Sequence, residues 1–525
     1  MSGKIIMLGS TRYSIGKYAE KRNKDLSFVI YILLYVILCI AAEVCTGFQQ
    51  THNDFWDIFF GAQHLSFDNK YSLYNMHYPI GYYVFLKIIG FKGVSPEIPG
   101  ILGNIFFGAV ILFASIILYR KILSQKMSLL LLMALSFFPS LLLYITNAGP
   151  DPASIAFFEI GVIIIFLQIL NNGRESKGKF FIGGLILGCG AIFRYHVFVG
   201  SSLFLLGLFL VYRNKWRLVL ISCAGSVIVN VPQLILYCIT GPHHIPFAAI
   251  NIYNLMYHID WYRTSSFEFP PSFFWIINQD PLLFLSRYFY SILRHAPDYV
   301  PPFLAYLVIK EPIKKKLCLV ILIWSISYCL IFAAMESGRS QLLPIPLSFL
   351  CLGLFLEAFF GLFQKTTLMP KLINVLATGS LLLLLSFFLY KDARLLLHRT
   401  HENREATRVD LFLRKCGCTN VKEIFTDDFN IYFKTMPPYR PYCNGGATRW
   451  ETYLYNEEYP EFSVASLEEF SAACRTNRIR FVLLSDQCER LSPSLGGLYN
   501  GSSSDGIILK SKIGKFKIFE IKMII

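Results

Sequence analysis

Apolar stretches of membrane-crossing length recur along this chain, and that recurrence limits its fold more than any single motif does. Crossing about 30 Å of hydrocarbon takes roughly 17–25 apolar residues in a helix, because lipid offers no partner to a free backbone amide. Eleven segments fit: about 26–45, 98–119, 127–146, 153–170, 180–193, 197–212, 217–238, 299–310, 317–335, 340–363 and 369–390. Two further apolar stretches, 78–91 and 281–293, carry Lys87 and Arg287 and are amphipathic, so they are expected along the interface. Only 16% of the residues are charged and 54% are hydrophobic. That balance excludes a disordered chain, a disulfide-stapled secreted mini-domain and an ordinary soluble enzyme. The expected fold is an α-helical polytopic membrane protein with about eleven transmembrane helices.

Charge orients the spans. The net charge is +15, which on a soluble protein would point to nucleic acid. With a cytoplasmic N-terminal segment (1–25), the short inner segments 120–126, 171–179, 213–217, 310–316 and 364–371 follow. Together these six inner segments carry 21 Lys and Arg, against eight in the longer outer loops before residue 391. Counting 78–94 as a span would put every later basic cluster outside, against positive-inside ordering. The excess is therefore a topology signal, and no nucleic-acid partner is expected. The transmembrane core is 26–390, with external loops at 46–97 and 239–298. If the cell is bacterial, the membrane is the plasma (inner) membrane.

From Lys391 the composition changes. Residues 391–525 hold 20 Lys and Arg and no apolar run long enough to span. By parity this tail is outside. Its pattern predicts helices near 403–416 and 466–475 and strands at 422–426, 481–485, 506–510 and 516–521, a small extracytoplasmic α/β domain. Its five cysteines (Cys416, Cys418, Cys443, Cys474, Cys488) form either a disulfide or free buried thiols.

Short inner turns and long outer segments put the chemistry outside. In the first external loop Asp54 and Asp57 are three apart and share a face if helical. Among Phe55, Trp56, Phe59 and Phe60 a carboxylate is partly desolvated and more basic, which suits a general base. The alternative is one helix-capping and one solvated aspartate. Asp151, in Asn147-Ala-Gly-Pro-Asp-Pro, stands at the outer end of the fourth span, where it can cap with Pro152 at the first helical position. Arg194 and Arg339 interrupt apolar context at outer span ends, costly unless paired or lining a wet cavity. Each either snorkels to bulk lipid or holds a phosphate through its planar fork of donors. Carboxylates and arginines on one face suit a phosphate-linked lipid substrate. The histidines His52, His64, His77, His243 and His244 lack zinc-helix spacing, so no cofactor is expected; a divalent cation on Asp54 or Asp57 is the one metal reading. No Gly-rich phosphate loop points to nucleotide hydrolysis.

These residues resemble a family. One span precedes a loop with Asp54-Phe-Trp, Gly61-Ala62, Leu73-Tyr74 and Tyr78-Pro79-Ile-Gly81. Gly183-Gly184, Gly188 and Phe193-Arg194 follow, then Arg339-Ser-Gln-Leu-Leu-Pro-Ile-Pro. The set is similar to the GT-C superfamily of integral-membrane glycosyltransferases, especially the family 39-like protein mannosyltransferases and the aminoarabinose lipid A transferases. The usual Asp-Glu pair is here Asp54-Phe, with Asp57 one turn on. The resemblance implies sugar transfer from a polyprenyl-phosphate donor to a lipid, glycan or protein acceptor on the extracytoplasmic face. It implies Asp54 as base, supported by Asp57 or Asp151, with Arg194 and Arg339 on the donor phosphate. Stretches 78–91 and 281–293 would frame the lipid groove. The rivals are a flippase of lipid-linked sugars and a lipid-linked polysaccharide ligase. The flippase calls for mid-membrane charge on a substrate path, and the only acidic residues in the spans are Glu43, Glu159 and Glu357.

Overall fold

The computed structural model describes residues 7–48, 55, 58, 62, 79–89, 97–171, 175–240, 252–257, 272–335, 342–363, 370–418, 423–427, 466–490, 493–502 and 506–522. The first helices are α1 (Met7–Thr46), α2 (Ile80–Ile89), α3 (Glu97–Ile122), α4 (Gln125–Ser136), α5 (Pro139–Ile145), α6 (Asp151–Leu170), α7 (Lys177–Phe193), α8 (Tyr195–Val211) and α9 (Trp216–Thr240). Then come α10 (Phe273–Gln279), α11 (Pro281–Arg294), α12 (Ala296–Val308), α13 (Pro312–Phe332), α14 (Ile345–Phe363) and α15 (Pro370–Lys415). A helix or a helix pair lies at each of the eleven apolar segments. Five are long and apolar enough to cross a membrane, and α4 with α5 makes a sixth, bent by 60°. The bend has a local cause: Pro139 in the first turn of α5 offers no N–H to the preceding turn. The chain is a polytopic integral membrane protein.

The first span is polar toward its neighbours and apolar outward. On α1, Leu33, Leu34, Ile37 and Leu38 are exposed, whereas Tyr35, Cys39 and Glu43 are buried. That is the arrangement lipid demands. Glu43 is met by Arg399 of α15, whose Nη1 donates to Glu43 Oε1 at 3.2 Å and to Thr146 Oγ1 at 2.8 Å. Asn403 Nδ2 donates to the Thr46 carbonyl at 2.7 Å. These pairings make α1 and α15 run parallel. The two amphipathic stretches are helical: α2 exposes Ile88, and α11 exposes Leu282, Phe289, Tyr290 and Leu293 while burying Phe284.

Helix α15 continues for 46 residues, straight through the composition change at Lys391. The expected helix near 403–416 is its last part and not a separate element. Beyond it lie β1 (Ile424–Thr426), α16 (Leu467–Thr476), β2 (Phe481–Leu484), α17 (Pro493–Asn500), β3 (Ile507–Ile513) and β4 (Phe516–Ile521). The sheet order is β1-β2-β4-β3, with β1 and β2 parallel and the other pairs antiparallel. Alternate strand residues face opposite sides. Val482, Leu484 and Phe519 pack with Phe470 of α16 and Leu495 of α17. Phe481, Leu483 and Ile518 pack against Ala406, Val409 and Leu413 of α15, which thereby carries the membrane core into the α/β domain. Cys416, Cys474 and Cys488 are free thiols, Cys418 is buried, and Cys443 lies outside the described residues. Burial pushes Cys488 up to about 12 and raises Cys474 as well, so neither is a thiolate at neutral pH.

Candidate active site

Glycines in α7 set the geometry. A Cβ on Gly184 would stand 2.0 Å from the Ser222 carbonyl oxygen of α9, and one on Gly188 2.7 Å from that of Ser226. Helices α7 and α9 are thus in backbone contact, as small residues four apart permit. On its other side α7 meets α6, where a Cβ on Gly190 would lie 2.8 Å from the Ser154 carbonyl. The end of α7 is thereby fixed against the start of α6.

At that corner the helix breaks. Arg194 is extended (φ −151°, ψ 131°), closing α7 and opening α8. Its Nε donates to Asp151 Oδ1 at 3.0 Å and its Nη2 to Asp151 Oδ2 at 3.1 Å. This is a bidentate, charge-assisted pair, among the strongest side-chain contacts available. The side chains are 12% and 5% exposed. Asp151 is the first residue of α6, with Pro150 at the cap and no side-chain capping bond there. The capping role expected from the sequence is replaced by pairing with Arg194. Tyr82 of α2, fully buried, accepts the Gly149 N–H at 2.9 Å and pins the turn before Asp151. Gly100 of α3 approaches both Ala148 and Phe55, which is also fully buried: a Cβ on Gly100 would lie 2.9 Å from the Phe55 ring and 2.7 Å from Ala148 Cβ.

A second polar pair lies on α12. His295 Nδ1 and Asp298 Oδ2 are 2.7 Å apart, and both side chains are buried. Ser348 Oγ of α14 donates to the Asp298 carbonyl at 2.6 Å. Tyr328 of α13, fully buried, packs on Phe332 with ring centroids 4.5 Å apart, and Phe332 lies against His196 of α8 at 6.3 Å, two residues past Arg194. A Cβ on Gly200 of α8 would sit 2.5 Å from Leu343 and 3.3 Å from the Tyr328 ring, which joins the Leu-Leu-Pro stretch after Arg339 to this cluster.

Of the residues expected from the sequence, the structure brings Asp151 and Arg194 into direct contact. Asp54, Asp57 and Arg339 lie outside the described residues. Sequence reasoning missed His295, Asp298 and Tyr328. The first two carried a signal, titratable groups three apart beside an apolar helix. Tyr328 carried none. Among the described residues, no three His, Cys, Asp or Glu side chains gather to hold a metal ion.

No protein-family model and no curated protein matches the chain in sequence. Solved structures do match in shape. ArnT from Cupriavidus metallidurans bound to undecaprenyl phosphate superposes with a TM-score of 0.57 at 13% identity, covering 93% of this chain and 97% of that one. The apo state of the same protein gives 0.57 and 13%, covering 94% and 98%. An oligosaccharyltransferase from Archaeoglobus fulgidus, in complex with Zn and sulfate, gives 0.50 at 11%, covering 89% and 69%. At this identity the likeness speaks for fold alone, and nearly the whole chain takes part in it. The chain shares the fold of ArnT and of the archaeal oligosaccharyltransferase.

Proposed function

We propose that this chain is a membrane glycosyltransferase that moves a sugar from a polyprenyl-phosphate donor to a lipid, glycan or protein acceptor on the extracytoplasmic face. The observation that carries the reading is the bidentate Asp151–Arg194 pair at the α7–α8 break, within a GT-C fold. Asp54 takes the proton from the acceptor hydroxyl or amine. The acceptor atom then attacks the anomeric carbon, the carbon–oxygen bond to phosphate breaks, and polyprenyl phosphate leaves with the bonding electrons. Arg194, oriented by Asp151, and Arg339 bind that phosphate; Asp57 supports the base. The approach of Gly100 to both Phe55 and Ala148 supports this assignment, because Asp54 is the covalent neighbour of Phe55 and Asp151 is three residues from Ala148. A divalent cation on Asp54 or Asp57 is the metal-dependent form of this reading. Transfer lost in EDTA and restored by added zinc would support it.

Membranes given radiolabelled undecaprenyl-phosphate sugars test the reaction. We expect label to pass from donor to acceptor with wild type and transfer to fall at least 100-fold with Asp54→Asn, about 2.7 kcal/mol of barrier. Full transfer by the variant would remove Asp54 as base. Label crossing the bilayer without transfer would make the chain a flippase.

The same reading sets the topology at eleven spans with a cytoplasmic N-terminus. Parallel α1 and α15 support it, because the first and eleventh spans must share a direction. Cys45, exposed at the outer end of α1, provides the check. In a variant keeping only that cysteine, a membrane-impermeant maleimide added to intact cells is expected to label it. Labelling only after the cells are opened would reverse the orientation.

A further inference from the structure

We propose that His295 and Tyr328 contact the phosphate of the lipid-linked substrate, forming a second wall of the site beyond Asp151 and Arg194; this rests on the polyprenyl-phosphate reading above. The starting observation is a pair of buried polar atoms that the fold leaves unsatisfied. His295 is 1% exposed, and with Nδ1 committed to Asp298 its Nε2 has no hydrogen-bond partner among the described residues. The Tyr328 hydroxyl, on a side chain of 0% exposure, has none there either. Buried polar atoms are hydrogen-bonded in the great majority of native structures, so each exception calls for a reason.

Packing alone does not supply the reason. Tyr328 is wedged among aromatic rings, with Phe332 at 4.5 Å and Trp324 at 6.1 Å between centroids, where phenylalanine would fit equally well. Nor is His295 loosely placed. Asp298 fixes its ring, and Ser348 fixes Asp298 from a different helix. A carboxylate holding Nδ1–H while the other ring nitrogen faces inward is the arrangement by which proteins aim an imidazole at a ligand.

The chemistry of the two atoms selects the ligand. The carboxylates nearby are already engaged, Asp298 by His295 and Asp151 by Arg194. The polar atoms left unengaged are a phenol O–H and, in the protonated imidazole, an Nε2–H. Together with the Arg194 guanidinium they make a donor-rich lining suited to the oxygens of a phosphate ester. At the α7–α8 junction residues 192–196 are half-buried, whereas His295 and Tyr328 are closed off from solvent. A lipid headgroup entering there meets Arg194 first and the His295–Tyr328 wall behind it.

The test is direct binding to the full chain in lipid nanodiscs. Radiolabelled undecaprenyl phosphate, undecaprenol and inorganic phosphate are compared on wild type, Tyr328→Phe and His295→Gln. We expect wild type to bind undecaprenyl phosphate and each variant to bind it at least tenfold more weakly. Undecaprenol binding should not differ among the three. Tyr328→Phe removes an oxygen that pairs with nothing described, so its ligand-free unfolding temperature should equal or exceed that of wild type. It therefore keeps the test valid if His295→Gln folds poorly. Unchanged affinity of Tyr328→Phe for undecaprenyl phosphate overturns the proposal, as does an equal loss for undecaprenol. Tight binding of inorganic phosphate, with the same dependence on Tyr328, overturns the lipid assignment. If wild type binds no undecaprenyl phosphate, the reading of the substrate fails before that of the residues.

Discussion

Replacing Asp151 by alanine is expected to cost about 3 kcal/mol of stability, because it removes the carboxylate that holds the Arg194 guanidinium at two points in a largely buried corner. The effect is large because the pair is bidentate and both side chains are mostly shielded from water. Arg194→Met should cost a similar amount by removing both guanidinium donors from the carboxylate. The double variant Asp151→Leu, Arg194→Met should recover much of the stability, since a buried ion pair exchanged for apolar groups of similar volume is often neutral. Transfer activity should recover in none of the three. Thermal unfolding in detergent together with a transfer assay separates these outcomes. An Asp151→Ala protein that unfolds like wild type would mean the pair is solvated, and the corner not built as described.

Gly184→Leu is expected to be at least as damaging. Even a Cβ at that position would stand 2.0 Å from the Ser222 carbonyl, and 2.6 Å from its carbon, both backbone atoms of α9 that cannot swing aside. Helices α7 and α9 must separate, which overpacks the core at a cost of about 1–3 kcal/mol and often more. The consequence reaches the site, because α7 ends at Arg194. We expect Gly184→Leu to lower the yield of folded protein sharply and to abolish transfer in what remains. Gly361, with nothing within 4 Å, is the control: Gly361→Leu should leave yield and activity near wild type. Equal yields for the two variants would show that the α7–α9 approach is looser than described.

Much of the fold was legible because each span states itself locally. A run of apolar residues needs no distant partner to be read, and Pro139 marks its own bend. The strands of the α/β domain were equally readable from alternation, with β2 and β4 within a residue of expectation. What escaped the sequence depends on long-range pairing. Glu43 and Arg399 are 356 residues apart, so a span glutamate and a tail arginine gave no hint of meeting. The glycines of α7 could be read as a motif, yet their use lies in carbonyls of Ser222 and Ser226 that no local pattern reveals. Asp151 and Arg194 were each picked for charge in apolar context, and their contact across 43 residues follows only once α6 and α7 are packed. Tyr328 looks like any aromatic residue of a membrane helix. That its buried hydroxyl meets no partner among the described residues is a property of the fold.

Electron microscopy of the chain in nanodiscs with undecaprenyl phosphate bears most directly on the site. The phosphate is expected at the outer end of α7, within hydrogen-bonding distance of the Arg194 guanidinium and with Asp151 still paired to it. Density for the phosphate on another face, with this corner unchanged, would mean that the Asp151–Arg194 pair braces two helices and takes no part in binding the donor.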